Sequence, residues 1–133
     1  WVEMTGYLEK ERVYRLMSGA DILVHGAPWE AFGIALAEAM WAGLPAVASG
    51  TGAVPELVTH GVEGLLYEPG DTEALSAHIA RLLEDDDLRR RMGAAARRRA
   101  EGLNTWETTC KEFVNLVEDT AGRQVRRNLL SRP

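Results

Sequence analysis

Short runs of apolar residues alternate along the chain with stretches in which apolar residues recur every three or four positions. The first pattern is typical of buried strands and the second of amphipathic helices. Strands are predicted at residues 2–6, 22–25, 46–49 and 64–67. Strands that alternate with helices are typical of β-α units around a parallel sheet. The predicted fold class is therefore α/β, with a Rossmann-like parallel sheet and helices on both faces.

The helix predicted at residues 33–42 is apolar on nearly every side. Glu38 is its one charged residue, and this composition describes a helix buried between other elements. Gly43 is predicted to end it. Asp71 is placed to cap a later helix, and further helices are predicted at residues 9–18, 55–59 and 88–100. The apolar stripe of the helix after Asp71 is formed by Leu75, Ile79, Leu82 and Leu83.

A last helix is predicted from Trp106, and its apolar face should pack onto the body of the protein. That face is formed by Cys110, Phe113, Val114, Val117 and Ala121. The segment beyond Gly122 is basic and is expected to fray. We therefore predict a partial Rossmann-like domain at residues 1–121 and a basic C-terminal tail at 122–133. Four strands are few for a doubly wound sheet, so we expect this domain to be incomplete on its N-terminal side.

The composition, with 46% apolar and 26% charged residues, is that of an ordinary soluble globular protein. Residues 31–55 form the longest stretch with few charges, but Glu38, several glycines and two prolines make it unsuited to span a membrane. No signal peptide is visible, and the first residue is Trp1, so we expect a piece of a longer protein. The single cysteine, Cys110, fits a reducing compartment. The predicted location is the cytoplasm, with the inner face of the membrane as an alternative.

Charge is distributed unevenly. Residues 1–70 carry three basic and nine acidic side chains, a formal charge of −6, and the remaining residues carry +1. No Lys or Arg occurs between Arg15 and Arg81. An anion bound by this stretch would therefore have to be held by backbone groups or by residues outside the sequence.

Six arginines occur in two runs, at residues 89–91 and 97–99, within a predicted helix. Acidic residues at 84–87 precede them, an order that suits the helix dipole. No aromatic residues are interleaved with the arginines, which argues against nucleic-acid binding. We interpret the runs as a solvated helix face. A non-catalytic module that uses this helix on an anionic membrane or partner is the alternative.

The stretch most suggestive of chemistry, residues 28–40, directly follows a predicted strand and opens a helix. In an open α/β sheet this junction lies at the carboxyl edge of the strands, where ligands bind. Gly33 would let a ligand approach the backbone. The free N–H groups of Gly33, Ile34 and Ala35 would face an anion such as a pyrophosphate.

Glu38 needs a partner, because an ionised carboxylate within an apolar helix costs several kcal/mol when it is unpaired. With no Lys or Arg nearby in the sequence, hydroxyl groups are good candidates, and the vicinal hydroxyls of a ribose can donate two short hydrogen bonds. Glu30 lies before the helix and would reach another part of the same ligand. Alternatively, Glu38 accepts from backbone amides or a distant Arg, and Glu30 caps the helix. Local physics leaves these alternatives open.

Glu30 and Glu38 form the pattern E-x(7)-E, within the stretch E-A-F-G-I-A-L-A-E-A-M-W-A-G-L-P-A-V-A-S. This stretch resembles the donor-site helix of GT-B retaining glycosyltransferases, and glycosyltransferase family 4 in particular. Further similar segments follow the family's order and spacing at residues 15–21, 52–58, 63–71 and 106–107. The resemblance covers residues 6–118 and implies part of the nucleotide-sugar domain of a GT-B fold.

The resemblance implies that Glu30 is the catalytic residue that touches the hydroxyls of the donor sugar, and that Glu38 binds the ribose. Phe32, Gly33 and Ile34 would supply backbone contacts to the sugar and the diphosphate. It also implies that two small residues, Gly52 and Ala53, shape the neighbouring loop. His25 and Trp29 occupy positions that vary in such enzymes, and we interpret His25 as a structural or pocket-lining group.

The resemblance further implies transfer of a glycosyl group from a nucleotide diphosphate sugar to a hydroxyl acceptor with retention of configuration. Neither a metal nor a cofactor is expected. His60 and His78 are interpreted as surface residues, and no nucleic-acid partner is expected. The family's acceptor domain and its diphosphate-clamping Arg and Lys would precede Trp1, so the piece alone should be inactive. The acceptor would be a sugar, a lipid or another hydroxyl compound. A GT-B sugar-nucleotide epimerase is the alternative within the same fold.

Overall fold

The computed structural model describes residues 2–103 and 106–130 of the 133-residue chain, with side chains at 2–103 and 107–120. Contacts divide the chain into two units after Gly102. The first unit contains three strands and five helices in its described part. In chain order they are α1 (Lys10–Ser18), β1 (Leu23–His25), α2 (Ile34–Trp41), β2 (Ala46–Ser49), α3 (Val54–Leu57), β3 (Gly64–Tyr67), α4 (Thr72–Glu84) and α5 (Asp86–Glu101).

The strands form one parallel sheet in the order β1-β2-β3. His25 pairs with Ala48, and Ser49 pairs with Tyr67, so the carboxyl ends of all three strands meet at one edge. The bounds of β2 and β3 agree with the prediction residue for residue. The predicted α/β class with a parallel sheet is confirmed.

Helices cover both faces of the sheet, as predicted. Ala46 and Ala48 point to one face, where they pack against α2, α3 and α5. Val47 and Leu65 point to the other face, against α4 and the first half of α5. Alternate residues of a strand point to opposite faces, so β2, buried at all four positions, holds the two halves of the core together.

The strand predicted at residues 2–6 is wrong, because this segment has no regular structure and Val2 and Met4 are exposed. A strand requires a paired neighbour for its backbone groups, and among the described residues none pairs with this segment. β1 is one residue shorter than predicted. It is also less buried than predicted, since Val24 is 47% exposed. β1 and β3 both lie at an edge of the sheet, but Val24 packs against neither half of the core.

α2 is buried on one side only, which corrects the prediction of a helix buried nearly all round. Leu36, Ala39 and Met40 are buried, whereas Ile34 and Trp41 are exposed. The buried side packs on the sheet and α5, and the described residues do not cover the opposite side. The predicted end of the helix is confirmed, since Gly43 follows the C-cap residue with a φ of 79°.

Asp71 caps α4 as predicted, and its carboxylate accepts a hydrogen bond of 2.8 Å from the Ala74 N–H. Leu82 is completely buried, but Leu83 is 57% exposed. The assignment of Leu83 to the buried stripe is therefore wrong. Consecutive helical residues lie about 100° apart around the axis, so both could not face the core equally.

Three arginines of α5 bind backbone carbonyl groups in the last turn of three other helices. Arg89 donates to Leu82 (2.9 Å), Arg97 to Trp41, and Arg99 to Leu57 (3.1 Å) and Glu56 (2.6 Å). The last carbonyls of a helix lack partners within it and carry partial negative charge, so a guanidinium stabilises them. Arg89 is half-buried, which corrects the interpretation of the first run as a solvated face at that position, whereas Arg97 and Arg99 are exposed, as predicted, and bind these carbonyls at the surface.

The second unit contains α6 (Trp106–Leu130). This helix starts where predicted and continues through Gly122, so the backbone does not change conformation at the predicted start of the tail. The boundary at residue 121, and the packing of this helix onto the body, stay predictions; Ala121 lies outside the described side chains. No helix in the described part of the chain is long and apolar enough to cross a membrane.

Candidate functional site

Two loops meet at the carboxyl edge of the sheet. The loop of residues 26–33 joins β1 to α2, and the loop of residues 50–53 joins β2 to α3. The Ala53 N–H donates a hydrogen bond of 2.9 Å to the Glu30 carbonyl. Gly52 has a φ of 54°, and a Cβ there would lie 1.9 Å from the same carbonyl oxygen. The second loop therefore rests on the backbone of Glu30, and glycine is required where it does so.

Protein groups hold both carboxylate oxygens of Glu30. Oε1 accepts hydrogen bonds from Gly33 N–H (3.0 Å) and Phe32 N–H (3.2 Å). Oε2 lies 3.0 Å from Nε2 of His25, the last residue of β1. The two amides, and secondarily the nearby His25, hold the pKa of Glu30 below its ordinary value of 4.5. The side chain remains 24% exposed, so an ionised carboxylate of fixed orientation faces solvent.

The same contacts change what was predicted for the start of α2. The Gly33 N–H is not free, because it donates to Glu30. Gly33 is also buried, and a Cβ on it would lie 2.6 Å from Cδ1 of Leu57. Its φ of 71° and this packing explain the glycine without a ligand. Among residues 2–103, the N–H groups of Ile34 and Ala35 have no acceptor, so these two donors remain available to an anion.

Glu30 lines an open cleft of about 420 Å³. Trp29 and Phe32, at its mouth, are 69% and 79% exposed. The remaining lining residues come from the same loop, from the loop that follows β2 and from α3, and they are Ala31, Gly52, Ala53, Glu56 and Leu57. The structure therefore brings five predicted site residues together: Glu30, Phe32, Gly33, Gly52 and Ala53. Their roles toward a ligand stay predictions.

Glu38 lies on α2 beside a different cleft, of about 350 Å³. Its Oε1 is 3.3 Å from the hydroxyl of Tyr14, which donates the hydrogen bond. A hydroxyl partner was expected for this carboxylate, and in the described part of the chain a tyrosine supplies it. Trp41 forms another wall of the cleft, and the guanidinium of Arg97 lies 4.6 Å from the centre of its ring. The two carboxylates of the E-x(7)-E pattern thus line separate clefts.

The sequence did not predict two contacts at these clefts. These are the contact of His25 with Glu30 and that of Tyr14 with Glu38. A histidine at the carboxyl end of a predicted strand was a usable signal for the first. The second joins residues on separate helices, and no local pattern indicates it.

His78 is half-buried, with Nε2 3.2 Å from the Leu66 carbonyl oxygen, so its assignment to the surface is corrected. No group of three or more potential metal ligands occurs among the described residues.

The sequence matches a known family and several curated proteins. The family model described as "Glycosyl transferases group 1" matches residues 1–99. O-antigen chain mannosyltransferase B of Escherichia coli is 34% identical over 115 residues, which cover 86% of this chain and 29% of that protein. N-acetyl-alpha-D-glucosaminyl L-malate synthase of Bacillus anthracis is 36% identical over 89 residues, which cover 67% and 23%. The chain thus spans less than a third of either relative.

Solved structures resemble the fold closely. Sucrose-phosphate synthase from Thermosynechococcus elongatus superposes with a TM-score of 0.79 at 30% identity, covering 90% of this chain and 30% of that one. HepE from Anabaena, solved in complex with UDP, gives a TM-score of 0.74 at 30% identity, covering 79% and 29%. HepE has also been solved with UDP-glucose, with a TM-score of 0.73 and 79% of this chain covered.

Proposed function

Because the chain belongs to the glycosyl transferases group 1 family and forms part of a GT-B fold, we propose that it is the donor side of a longer enzyme. That enzyme transfers a glycosyl group from a nucleotide diphosphate sugar to a hydroxyl acceptor with retention of configuration. The acceptor domain and further phosphate-binding residues belong to parts of the enzyme outside this chain. The proposed location is the cytoplasm, with the inner face of the membrane as the alternative.

The observation that supports this proposal most directly is the orientation of Glu30 beside the start of α2. An ionised carboxylate accepts hydrogen bonds and donates none, so it suits the hydroxyl groups of a sugar. The adjacent N–H groups of Ile34 and Ala35 suit an anion, because the N-terminus of a helix carries partial positive charge. A nucleotide diphosphate sugar offers both kinds of group next to each other, at the bond that breaks.

The donor would extend along α2 toward Glu38. Residues 34 and 38 are separated by about 6 Å along a helix axis, at about 1.5 Å per residue. A donor whose diphosphate lies at the N–H groups of Ile34 and Ala35 would therefore place its ribose at Glu38 and its sugar in the Glu30 cleft. Tyr14 would then share Glu38 with the ribose hydroxyls or give way to them.

In the proposed reaction the bond between the anomeric carbon and the diphosphate oxygen breaks, and the acceptor oxygen bonds to the anomeric carbon on the same face. The acceptor proton leaves with the diphosphate or with solvent. The N–H groups of Ile34 and Ala35 would stabilise the charge that develops on the leaving diphosphate, while Glu30 orients the sugar. We propose that no metal ion and no cofactor take part.

Titration calorimetry on the full-length protein tests the two carboxylate assignments, with UDP, UDP-glucose, GDP and GDP-mannose as probes. Glu38→Gln should weaken binding of nucleotide and sugar nucleotide alike by about tenfold, whereas Glu30→Gln should weaken the sugar nucleotide alone by a similar factor. Glu84→Gln, at the exposed end of α4, is the control and should change neither. Unchanged affinity in Glu38→Gln would contradict the ribose assignment.

The activity is tested by incubating the full-length protein with the bound donor and a panel of sugar and lipid acceptors. Transfer with retained configuration, read by NMR of the anomeric proton, supports the proposal. Inverted product, or epimerisation of the donor without an acceptor, would contradict it. Residues 1–133 alone should bind the donor at least tenfold more weakly than the whole protein and should not transfer, because they lack the acceptor side.

A further inference from the structure

The imidazole of His25 faces Glu30 from the sheet, and this contact is not explained by the packing of the core. Nε2 of His25 is buried and lies 3.0 Å from Oε2 of Glu30. It has no hydrogen-bond partner in the described part of the chain. The contact has the separation of an ion pair, but its alignment is not that of a hydrogen bond. Glu30 is therefore the polar group that this nitrogen is placed to meet.

His25 is attached to the sheet. It ends β1, and its backbone is paired with Ala48 of the buried strand β2. Glu30, in contrast, lies in the middle of the loop of residues 26–33. The amides that bind Oε1 belong to that same loop and would move with it. A contact with His25 therefore ties the carboxylate to the sheet, which those amides cannot do.

The distribution of charged residues around Glu30 also indicates that His25 is its partner. No Lys or Arg occurs between Arg15 and Arg81, and Glu56 lines the same cleft with a second carboxyl group. His25 is the titratable side chain that attracts the Glu30 carboxylate and thereby favours its ionised form. Without it, the loop amides alone would oppose rotation of the carboxylate away from the cleft.

We propose that His25 is a positioning residue for Glu30, which fixes Oε2 so that the carboxylate meets the donor sugar in one orientation. This inference rests on the proposed function. His25 itself need not touch the donor. A positioning role predicts that binding and transfer of the sugar depend on His25, while binding of the nucleotide does not.

The test compares His25→Leu with His25→Gln in the full-length protein. Leucine removes the polar atom, whereas the amide nitrogen of glutamine can reach about as far as Nε2 and donate to Oε2. In His25→Leu we expect affinity for the sugar nucleotide (UDP-glucose or GDP-mannose) and kcat/KM to fall about tenfold, with affinity for UDP or GDP within about twofold. His25→Gln should recover most of the loss. Equal loss for nucleotide and sugar nucleotide, or no recovery with glutamine, would overturn the proposal.

A second measurement does not depend on the donor or on the folding of a His25 variant. Nitrogen-15 NMR of the histidine rings, in wild-type protein and in Glu30→Gln, reports whether the imidazole senses the carboxylate. The His25 ring signals should shift in Glu30→Gln, while those of His60 and His78 stay unchanged. A His25 signal that does not respond would overturn the pairing. Failure of the wild type to bind any sugar nucleotide would instead overturn the proposed function.

Discussion

The two carboxylates of one sequence pattern are held in different ways. Glu30, on a loop, has two amide donors and a histidine within 3.2 Å. Glu38, on a helix, has one tyrosine hydroxyl at 3.3 Å. A group that the protein already holds loses little freedom when a ligand binds, whereas a weakly held group is ordered by the ligand itself. Two glutamates of one motif can therefore be preorganised for ligand binding to different degrees.

The two clefts are also formed by different structural elements. The Glu30 cleft is built from two loops and α3, and the backbone of the second loop packs against the Glu30 carbonyl at Gly52 and Ala53. The Glu38 cleft is built from side chains of α1 and α2. Backbone packing tolerates substitution poorly, while side chains at a surface can adjust. We therefore expect the Glu30 region to be the more sensitive of the two.

The largest effect is expected from Gly52→Ala, because the new Cβ would lie 1.9 Å from the Glu30 carbonyl oxygen. The free energy of unfolding should fall by about 3 kcal/mol or more, since backbone must move to relieve the contact. Gly61→Ala is the matched control: its φ of 84° is also positive, but no atom lies within 4 Å of its Cβ position. It should cost about 1 kcal/mol. Equal losses in urea titrations of the two variants would contradict the account of Gly52.

Because different arginines of α5 cap the helices beside the two clefts, substitutions can perturb the Glu30 cleft and the Glu38 cleft separately. Arg99→Ala removes the donors to Leu57 and Glu56 on the Glu30 side and should lower the free energy of unfolding by about 1–2 kcal/mol. It should also raise KM for the sugar donor. Arg97→Ala should destabilise the protein similarly, through Trp41 on the Glu38 side.

Arg98 is the control for both variants. It is exposed, and it has no hydrogen bond or ion pair among residues 2–103. Arg98→Ala should change the free energy of unfolding by less than about 0.5 kcal/mol. If chemical denaturation shows that all three substitutions have the same effect, the caps do not stabilise the helix ends as described.

The Glu30 carboxylate should make the stability of the protein depend on pH. Because the pKa of Glu30 is lowered in the folded protein, its stabilising contribution is complete above its ordinary pKa of 4.5 and is lost as pH falls through the folded-state pKa. Between pH 6 and pH 3, the urea midpoint of the wild type should therefore fall more steeply than that of Glu30→Gln. Glu84→Gln should follow the wild type. Parallel curves for the wild type and Glu30→Gln would show that the loop amides do not favour the ionised carboxylate.

The smallest effect is expected from Tyr14→Phe, which removes the hydroxyl that donates to Glu38 among the described residues. The contact is long and exposed, so the free energy of unfolding should change by less than about 0.5 kcal/mol. Nucleotide affinity should stay within about threefold of wild type, because ribose hydroxyls can replace the tyrosine. A tenfold loss in calorimetry would show that Tyr14 takes a direct part in binding.

The sequence was sufficient for strands that are buried along most of their length. β2 and β3 were predicted residue for residue, because each is a short apolar run next to Gly or Pro and is buried at three or more of its four positions. β1 and the segment at residues 2–6 were predicted less well, since an apolar run does not reveal whether neighbouring elements cover it. α2 was predicted as buried because its residues are apolar, and apolar content does not reveal which side a neighbour covers.

The site was predictable as a location, but not as a set of contacts. The strand, loop and helix pattern placed Glu30 and Gly33 at the carboxyl edge of the sheet, where the structure has them. The bond from Gly33 to Glu30, which removes one of the predicted free donors, depends on the fold of a three-residue turn. The caps formed by Arg97 and Arg99 join residues 42 to 56 positions apart, and periodicity and spacing do not indicate contacts over such separations.

The role of α5 limits how this region could be engineered. Anyone who grafts the loop between β1 and α2 onto another scaffold would have to transfer α5 with it, because its guanidinium groups fasten α2, α3 and α4 at their ends. Substitutions in those three helices should for the same reason be non-additive in double-mutant cycles, even where their side chains never touch.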